Sequence, residues 1–190
     1  MNCELTPTRF APPRRAAQVV VLSGSLPQGT PADYYATLLD GFQGRAILDV
    51  RGPELLAALP HRPWLVKPNR EELGKTVGRT LLAHEEIVAA MRAVQAQGAR
   101  NVAVTHGPAE VLLLTESGDV QRFVPPRIPT VVNPIGSGDS FAAGAAVSAA
   151  RDDDPIHAVK LGIAAAAANV ETLLPARWAP GRVEALLQSF

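Results

Sequence analysis

The sequence holds a single cysteine, Cys3, in 190 residues. One thiol cannot form an intramolecular disulfide, so the fold must rest on its apolar core, and a reducing compartment is expected. Aromatic residues make up only 5% of the chain. Net charge is absent as well, since 18 Lys and Arg balance 18 Asp and Glu. That balance removes the electrostatic case for binding nucleic acid or another polyanion. No uncharged apolar run reaches the length of about 18 residues that a membrane span needs; Ser140–Ala150 and Leu161–Val170 each soon meet charge. The first residues carry Glu4, Arg9, Arg14 and Arg15 among prolines and no apolar segment of signal-peptide type. A cytoplasmic protein without a membrane anchor is expected. The four histidines, His61, His84, His106 and His157, show no metal-ligand spacing, and each reads as a surface or turn residue.

What is present is a chain that is 47% apolar and 19% charged. A chain of this size can bury about 70% of the surface its unfolded form exposes, enough for one ordinary core. Residues 1–17 read as an irregular lead-in. Val19–Leu22 is a continuous apolar run of the kind buried on both faces of a parallel sheet. Pro31–Phe42 reads as a helix capped by Thr30, and Ala46–Val50 as a strand. Pro53–Leu59 reads as a short helix, and Trp64–Val66 as a strand ending in Lys67-Pro68-Asn69. His84–Gln97 places Ile87, Met91 and Val94 on one helical face. Val102–Thr105 is a strand, and Val111–Thr115 with Val120–Val124 form a hairpin about a glycine-containing turn. Two Ala-rich helices follow, near 138–150 and 155–170, the second capped by Asp154 ahead of Pro155. A last helix covers about 181–189. This alternation predicts a three-layer α/β/α fold with a mostly parallel sheet. Sites in such sheets lie beyond the carboxyl ends of the strands.

Three stretches follow predicted strands or open helices. In Gly136-Ser137-Gly138-Asp139-Ser140, two glycines let an anion approach the backbone, and a helix N-terminus offers free N–H groups and a positive dipole end. Asp139 in that first turn would be ionised and suited to take a proton from an attacking hydroxyl. The same residues also read as an acidic first turn behind a linker. Asn69 and Glu72 could hold the water shell of a magnesium ion, or simply form a capping box. Thr105-His106-Gly107-Pro108 could lie against a nucleotide or be an ordinary turn. Asp152-Asp153-Asp154 reads as a solvated helix junction. A Walker loop is excluded because no lysine follows Gly136 or Gly138. A dinucleotide fingerprint is excluded because Phe141 stands where its third small residue belongs.

In order and approximate spacing, four stretches resemble the ribokinase-like (PfkB) carbohydrate kinases. They are Ser23-Gly24-Ser25-Leu26-Pro27-x-Gly29, Lys67-Pro68-Asn69-x-x-Glu72, Thr105-x-Gly107-Pro108 and Asn133-x-x-Gly136-Ser137-Gly138-Asp139-Ser140-Phe141. The match runs from about residue 18 and is to the C-terminal portion of the family, so residues 18–190 read as a partial domain. Its SGSLP and GSGDS forms look most like the 1-phosphofructokinase and tagatose-6-phosphate kinase branch. The resemblance implies a ribokinase-like fold lacking the family's N-terminal strands and lid, and ATP-dependent phosphorylation of a sugar or sugar phosphate. It makes Asp139 the base and the backbone of Gly136, Ser137, Gly138 and Asp139 the anion hole. It puts Lys67, Asn69, Thr105, Gly107 and Asn169 along ATP and Ser25 near the sugar. Asn69 and Glu72 would organise Mg²⁺ through water, and the carbonyls of Asn133 and Ile135 match a monovalent-cation site (K⁺) of some relatives. Glu110 and Arg51 depart from the family pattern, standing where a glycine and a small hydroxyl residue are usual. A homo-oligomer is compatible with an exposed edge at Val19–Leu22. The competing reading is a non-catalytic nucleotide-binding or interaction fragment of such a kinase.

Overall fold

The computed structural model describes residues 17–190; Cys3 and nearly all of the predicted lead-in lie outside the described residues. Six strands form one sheet in sequential order: β1 (Val19–Ser23), β2 (Arg45–Asp49), β3 (Leu65–Val66), β4 (Asn101–His106), β5 (Glu110–Leu114) and β6 (Val120–Phe123). β1 to β4 run parallel, whereas β5 and β6 turn back antiparallel. Helices α1 (Tyr34–Leu39), α2 (Gly52–Ala58), α3 (Arg70–Thr76) and α4 (His84–Ala96) separate the parallel strands. Helices α5 (Ser137–Ala149), α6 (Pro155–Val170) and α7 (Arg182–Leu187) follow the hairpin.

Side chains of a strand alternate between faces, and that alternation sorts the core into two layers. Leu48, Val66, Val102, Val104, Leu112 and Leu114 face α1 to α4, packing on Leu55, Leu73, Met91 and Val94. Ile47, Leu65, Ala103, Val111 and Leu113 face α5 and α6, packing on Phe141, Ala145, Val159 and Ile163. The predicted three-layer fold is the one observed. α7 then covers the far side of α6 through Leu186.

Three local readings differ from what forms. The first helix begins at Tyr34, not Pro31, because Pro31-Ala32-Asp33 closes a turn in which Tyr34 N–H donates to the Pro31 carbonyl. Thr30 therefore caps nothing, and Gly41, with φ of 71°, ends the segment. Among the described residues β1 pairs with β2 alone, which makes it the expected edge strand but leaves Val21 36% exposed rather than buried on both faces. The acidic junction is more than solvated. Asp153 accepts hydrogen bonds from Trp64 Nε1 and from the Arg45 and Arg100 guanidinium groups, tying the β2, β3 and β4 strand starts to the α5–α6 turn. Asp154 caps α6 as expected, accepting from Ile156 N–H at 2.8 Å. His61, His84 and His106 are exposed, and His157 is half-buried. Among the described residues no helix is long and apolar enough to cross a membrane.

Candidate active site

The parallel strands point their carboxyl ends the same way, so the loops after β1, β2, β3 and β4 converge at one edge. α5 begins at that edge. Its N-cap is Gly136, held at φ of 81°, a left-handed conformation that glycine adopts without a Cβ clash. A Cβ there would also lie 2.9 Å from Pro175 Cβ, so both backbone and space call for glycine. The following residues, Ser137, Gly138 and Asp139, form the first turn, whose N–H groups have no partner within a helix. Gly138 and Asp139 are exposed, while Ser140 behind them is buried. The turn therefore opens to solvent on one side and is anchored on the other.

Asp139 Oδ1 accepts from Ser23 Oγ at 3.2 Å, which fixes the carboxylate from the end of β1. Ser25, the predicted sugar-side residue, sits exposed in the loop two residues on. Beneath the turn lies a pair of opposite charges. Lys67 Nζ is 3.0 Å from Asp49 Oδ1, with the lysine side chain 4% exposed. A Cβ built on Gly138 would stand 3.6 Å from Asp49 Oδ2 and 3.7 Å from Lys67 Nζ, so this pair backs directly onto the glycine. The ammonium also lies 5.6 Å from the centre of the Phe141 ring, a favourable cation–π position. Burial raises the Asp49 pKa above the usual carboxylate range. The Lys67 charge and hydrogen bond oppose that, and the neighbouring Glu72 and Asp139 carboxylates reinforce it. The Glu72 and Asp139 carboxylates thus both lie close enough to Asp49 to act on it.

Asn69 and Glu72 form a capping box at the start of α3. Asn69 Oδ1 accepts from Glu72 N–H and Glu72 Oε2 from Asn69 N–H, both at 2.9 Å. The other Glu72 oxygen, Oε1, is 3.5 Å from Arg51. The predicted metal residues are therefore also structural caps. Thr105 joins them: its N–H donates to the Pro68 carbonyl at 3.2 Å and it bridges to Asn69. Gly107 follows in an exposed turn with φ of 51°. Glu110 is bound by Arg122 Nε at 2.6 Å. Asn133 folds its own loop, accepting from Ile135 N–H at 3.0 Å and donating to the Leu173 carbonyl at 2.8 Å. Asn169 has no exposed surface and is bonded to Ile135, Ser137, Ser140 and Ala176. The sequence-selected residues thus fall along one edge of the sheet. Two members were missed. These are Ser23 and Asp49, to which the sequence alone assigns no role in the site. Asp49 could have been found as the one charge in Ala46-Ile47-Leu48-Asp49-Val50, at the carboxyl end of a parallel strand.

A model of the pfkB family of carbohydrate kinases matches residues 4–177. The chain belongs to that family. It is 36% identical over 129 residues to 1-phosphofructokinase of Haemophilus influenzae, covering 66% of this chain and 41% of the relative. To 1-phosphofructokinase of Bacillus subtilis it is 33% identical over 154 residues, covering 80% of this chain and 50% of the relative. The pfkB-family fold is also that of phosphofructokinase-2 from Escherichia coli in complex with potassium. The TM-score is 0.81 at 27% identity, over 90% of this chain and 56% of that one. Ribokinase of Arabidopsis thaliana, solved with ribose and ATP, shares the fold with a TM-score of 0.75 at 24% identity, over 92% of this chain and 57% of that one. The chain spans about half the length of the curated relatives it matches.

Proposed function

We propose that this pfkB-family chain transfers the γ-phosphoryl group of ATP to a hydroxyl of a sugar phosphate of the hexose class. The observation that carries the proposal is the first turn of α5. It joins an exposed carboxylate to an open glycine turn, backed by the buried Lys67–Asp49 pair. The relatives named 1-phosphofructokinase support the acceptor class, and so does the E. coli phosphofructokinase-2 structure with fructose-6-phosphate.

In this reading Asp139 Oδ1 is held by Ser23, and Oδ2 receives the proton of the attacking hydroxyl. The electron pair of the substrate's hydroxyl oxygen forms the new O–P bond while the bond from the γ-phosphorus to the β-phosphate oxygen breaks, releasing ADP. The N–H groups of Gly136, Gly138 and Asp139 would face the oxygens of the transferring group, where preorganised donors gain most as charge spreads, while the Ser137 N–H donates to the Pro134 carbonyl at 3.2 Å and so braces the turn. Lys67 supplies positive charge from below. Thr105 and Gly107 border the nucleotide, and Ser25 the sugar. The donor set also fits magnesium. Glu72 and Asp139 are hard oxygen donors that both lie close enough to act on Asp49. This suits an ion that keeps most of its waters and takes few carboxylates. Bound there, Mg²⁺ would neutralise phosphate charge. A potassium site at the Asn133 and Ile135 carbonyls belongs to the same proposal, one lone pair of Ile135 being taken by Asn169 Nδ2 at 2.8 Å.

The test is ADP release by the purified chain with ATP, Mg²⁺ and a panel of hexose phosphates. Turnover with one acceptor, lost in Asp139→Ala, is expected. ATP binding without transfer to any acceptor would leave a nucleotide-binding fragment as the better reading.

A further inference from the structure

Asn169 stands in the last turn of α6 with no exposed surface. A primary amide has two N–H donors and two acceptor lone pairs, and here all four are spent inside the chain. Nδ2 donates to the Ile135 carbonyl at 2.8 Å and to Ser137 Oγ at 3.3 Å. Oδ1 accepts from Ser140 Oγ at 3.2 Å and from Ala176 N–H at 2.9 Å. The orientation of the amide is fixed by chemistry. The Ile135 carbonyl can only accept and the Ala176 N–H can only donate, so nitrogen and oxygen cannot exchange places.

Three of the four partners bracket the open turn: Ile135 precedes Gly136, Ser137 lies within it, and Ser140 follows Asp139. The fourth, Ala176, brings in the neighbouring segment, in which Pro175 lies against Gly136. We infer that Asn169 is a positioning residue that clamps the Gly136–Asp139 turn from below without touching the nucleotide. This inference rests on the phosphoryl-transfer reading of that turn. The physical ground is the cost of leaving buried polar groups unpaired. A displaced turn would break one or more of these four bonds, so the amide holds both the aim of the N–H groups and the backbone position of Asp139. A side chain so buried, with its hydrogen-bonding capacity used up, has nothing left to offer adenine.

The test compares the full chain with Asn169→Asp. That change keeps an acceptor for Ser140 and Ala176 but sets a carboxylate oxygen against the Ile135 carbonyl. Without ligand, hydrogen exchange in the peptide spanning Ile135–Phe141 should accelerate about ten-fold, the cost expected for one broken buried bond. Exchange in β2 and β4 should not change. Unchanged exchange at Ile135–Phe141 overturns the clamp whatever the kinetics. In the kinase assay kcat should fall about 10²-fold, as for a small misplacement of reacting groups. The ratio of KM for ATP to KM for GTP should stay constant. A loss confined to KM for ATP, with altered base preference, overturns the inference and puts Asn169 against the base. If the parent chain transfers no phosphoryl group, the kinase reading fails and the exchange experiment still decides the clamp. Should Asn169→Asp not fold, Ser140→Ala carries the test, with a few-fold acceleration in the same peptide expected and unchanged exchange overturning it.

Discussion

At the scale of single residues, the site is a balance of few charges. Asp139 is exposed, and among the described residues its carboxylate is hydrogen-bonded by Ser23 alone. As the base it should tolerate replacement structurally but not chemically. Asp139→Ala is expected to lower turnover by about 10²–10⁴-fold with ATP binding retained, measured by steady-state kinetics beside calorimetry. Activity within a few-fold of the parent would remove it from that role. Arg51 carries the second residue-scale prediction. Its guanidinium lies 3.5 Å from Glu72 Oε1, so a cation already sits where the metal's water shell would seek an acceptor. Arg51→Ser should tighten binding of Mn²⁺ as a probe by a few-fold, since an exposed pair of this kind is weak. Titration by electron paramagnetic resonance reads this directly, and unchanged or weaker binding would refute it.

At the scale of elements, α5 is held against α6 by close approach. A Cβ on Gly144 would lie 2.7 Å from the Leu161 carbonyl oxygen, and backbone cannot give way there. Gly138, in contrast, has room for one carbon in ordinary contact with Asp49 and Lys67. Gly144→Ala should therefore destabilise the fold by about 1–3 kcal/mol through overpacking, while Gly138→Ala should leave the unfolding midpoint in urea nearly unchanged. Equal midpoints for the two variants would contradict this packing account. The branched side chain of Gly138→Val would instead press on the Lys67–Asp49 pair and the phosphate path. The elements were largely legible in the sequence because continuous apolar runs such as Ala46–Leu48 and Val111–Leu114 suit strands buried on both faces of a sheet. Asp154-Pro155 likewise announced α6. The site loops were legible as turn-rich strings at strand ends. Pairings between distant segments were not: Lys67 with Asp49, Ser23 with Asp139 and Asn169 with Ile135 follow from tertiary packing, which no local pattern encodes. The early start read for α1 failed for a related reason, since Pro31 suits a turn as well as a helix.

At the scale of the whole molecule, acid and association are the relevant stresses. Burial pushes Asp153 up, but the hydrogen bonds from Trp64 and Arg45 and the Arg100 and Arg45 charges more than reverse this, so its pKa is lowered. Such a carboxylate adds stability above its unfolded pKa of about 3.9, and this is lost as pH falls through the lower folded value. Asp49, raised by burial, has the opposite sign and loses its contribution as pH rises through its folded value. Thermal unfolding of Asp153→Asn should therefore show a flatter decline below about pH 4 than the parent. An equally steep decline would assign the acid response elsewhere. At neutral pH, the outer edge of β1 with its exposed Val21 invites strand pairing. Light scattering should find the 190-residue chain self-associated, and Val21→Lys should shift it toward monomer; a parent chain that is monomeric throughout would contradict this.

Among the described residues β1 is bonded to the sheet along one side only, and its last residue, Ser23, is the one that orients the Asp139 carboxylate. Fraying of the strand would therefore release the Ser23 hydrogen bond that orients Asp139. By thermodynamic linkage, a substrate that needs Asp139 in place must slow the fraying. Whatever binds the outer edge of β1 in register raises affinity for that substrate by the same factor that the substrate raises affinity for it. If Asp139 is the proton acceptor proposed above, the rim of the sheet would then be a remote control for it, adjustable by a neighbour that never approaches the substrate.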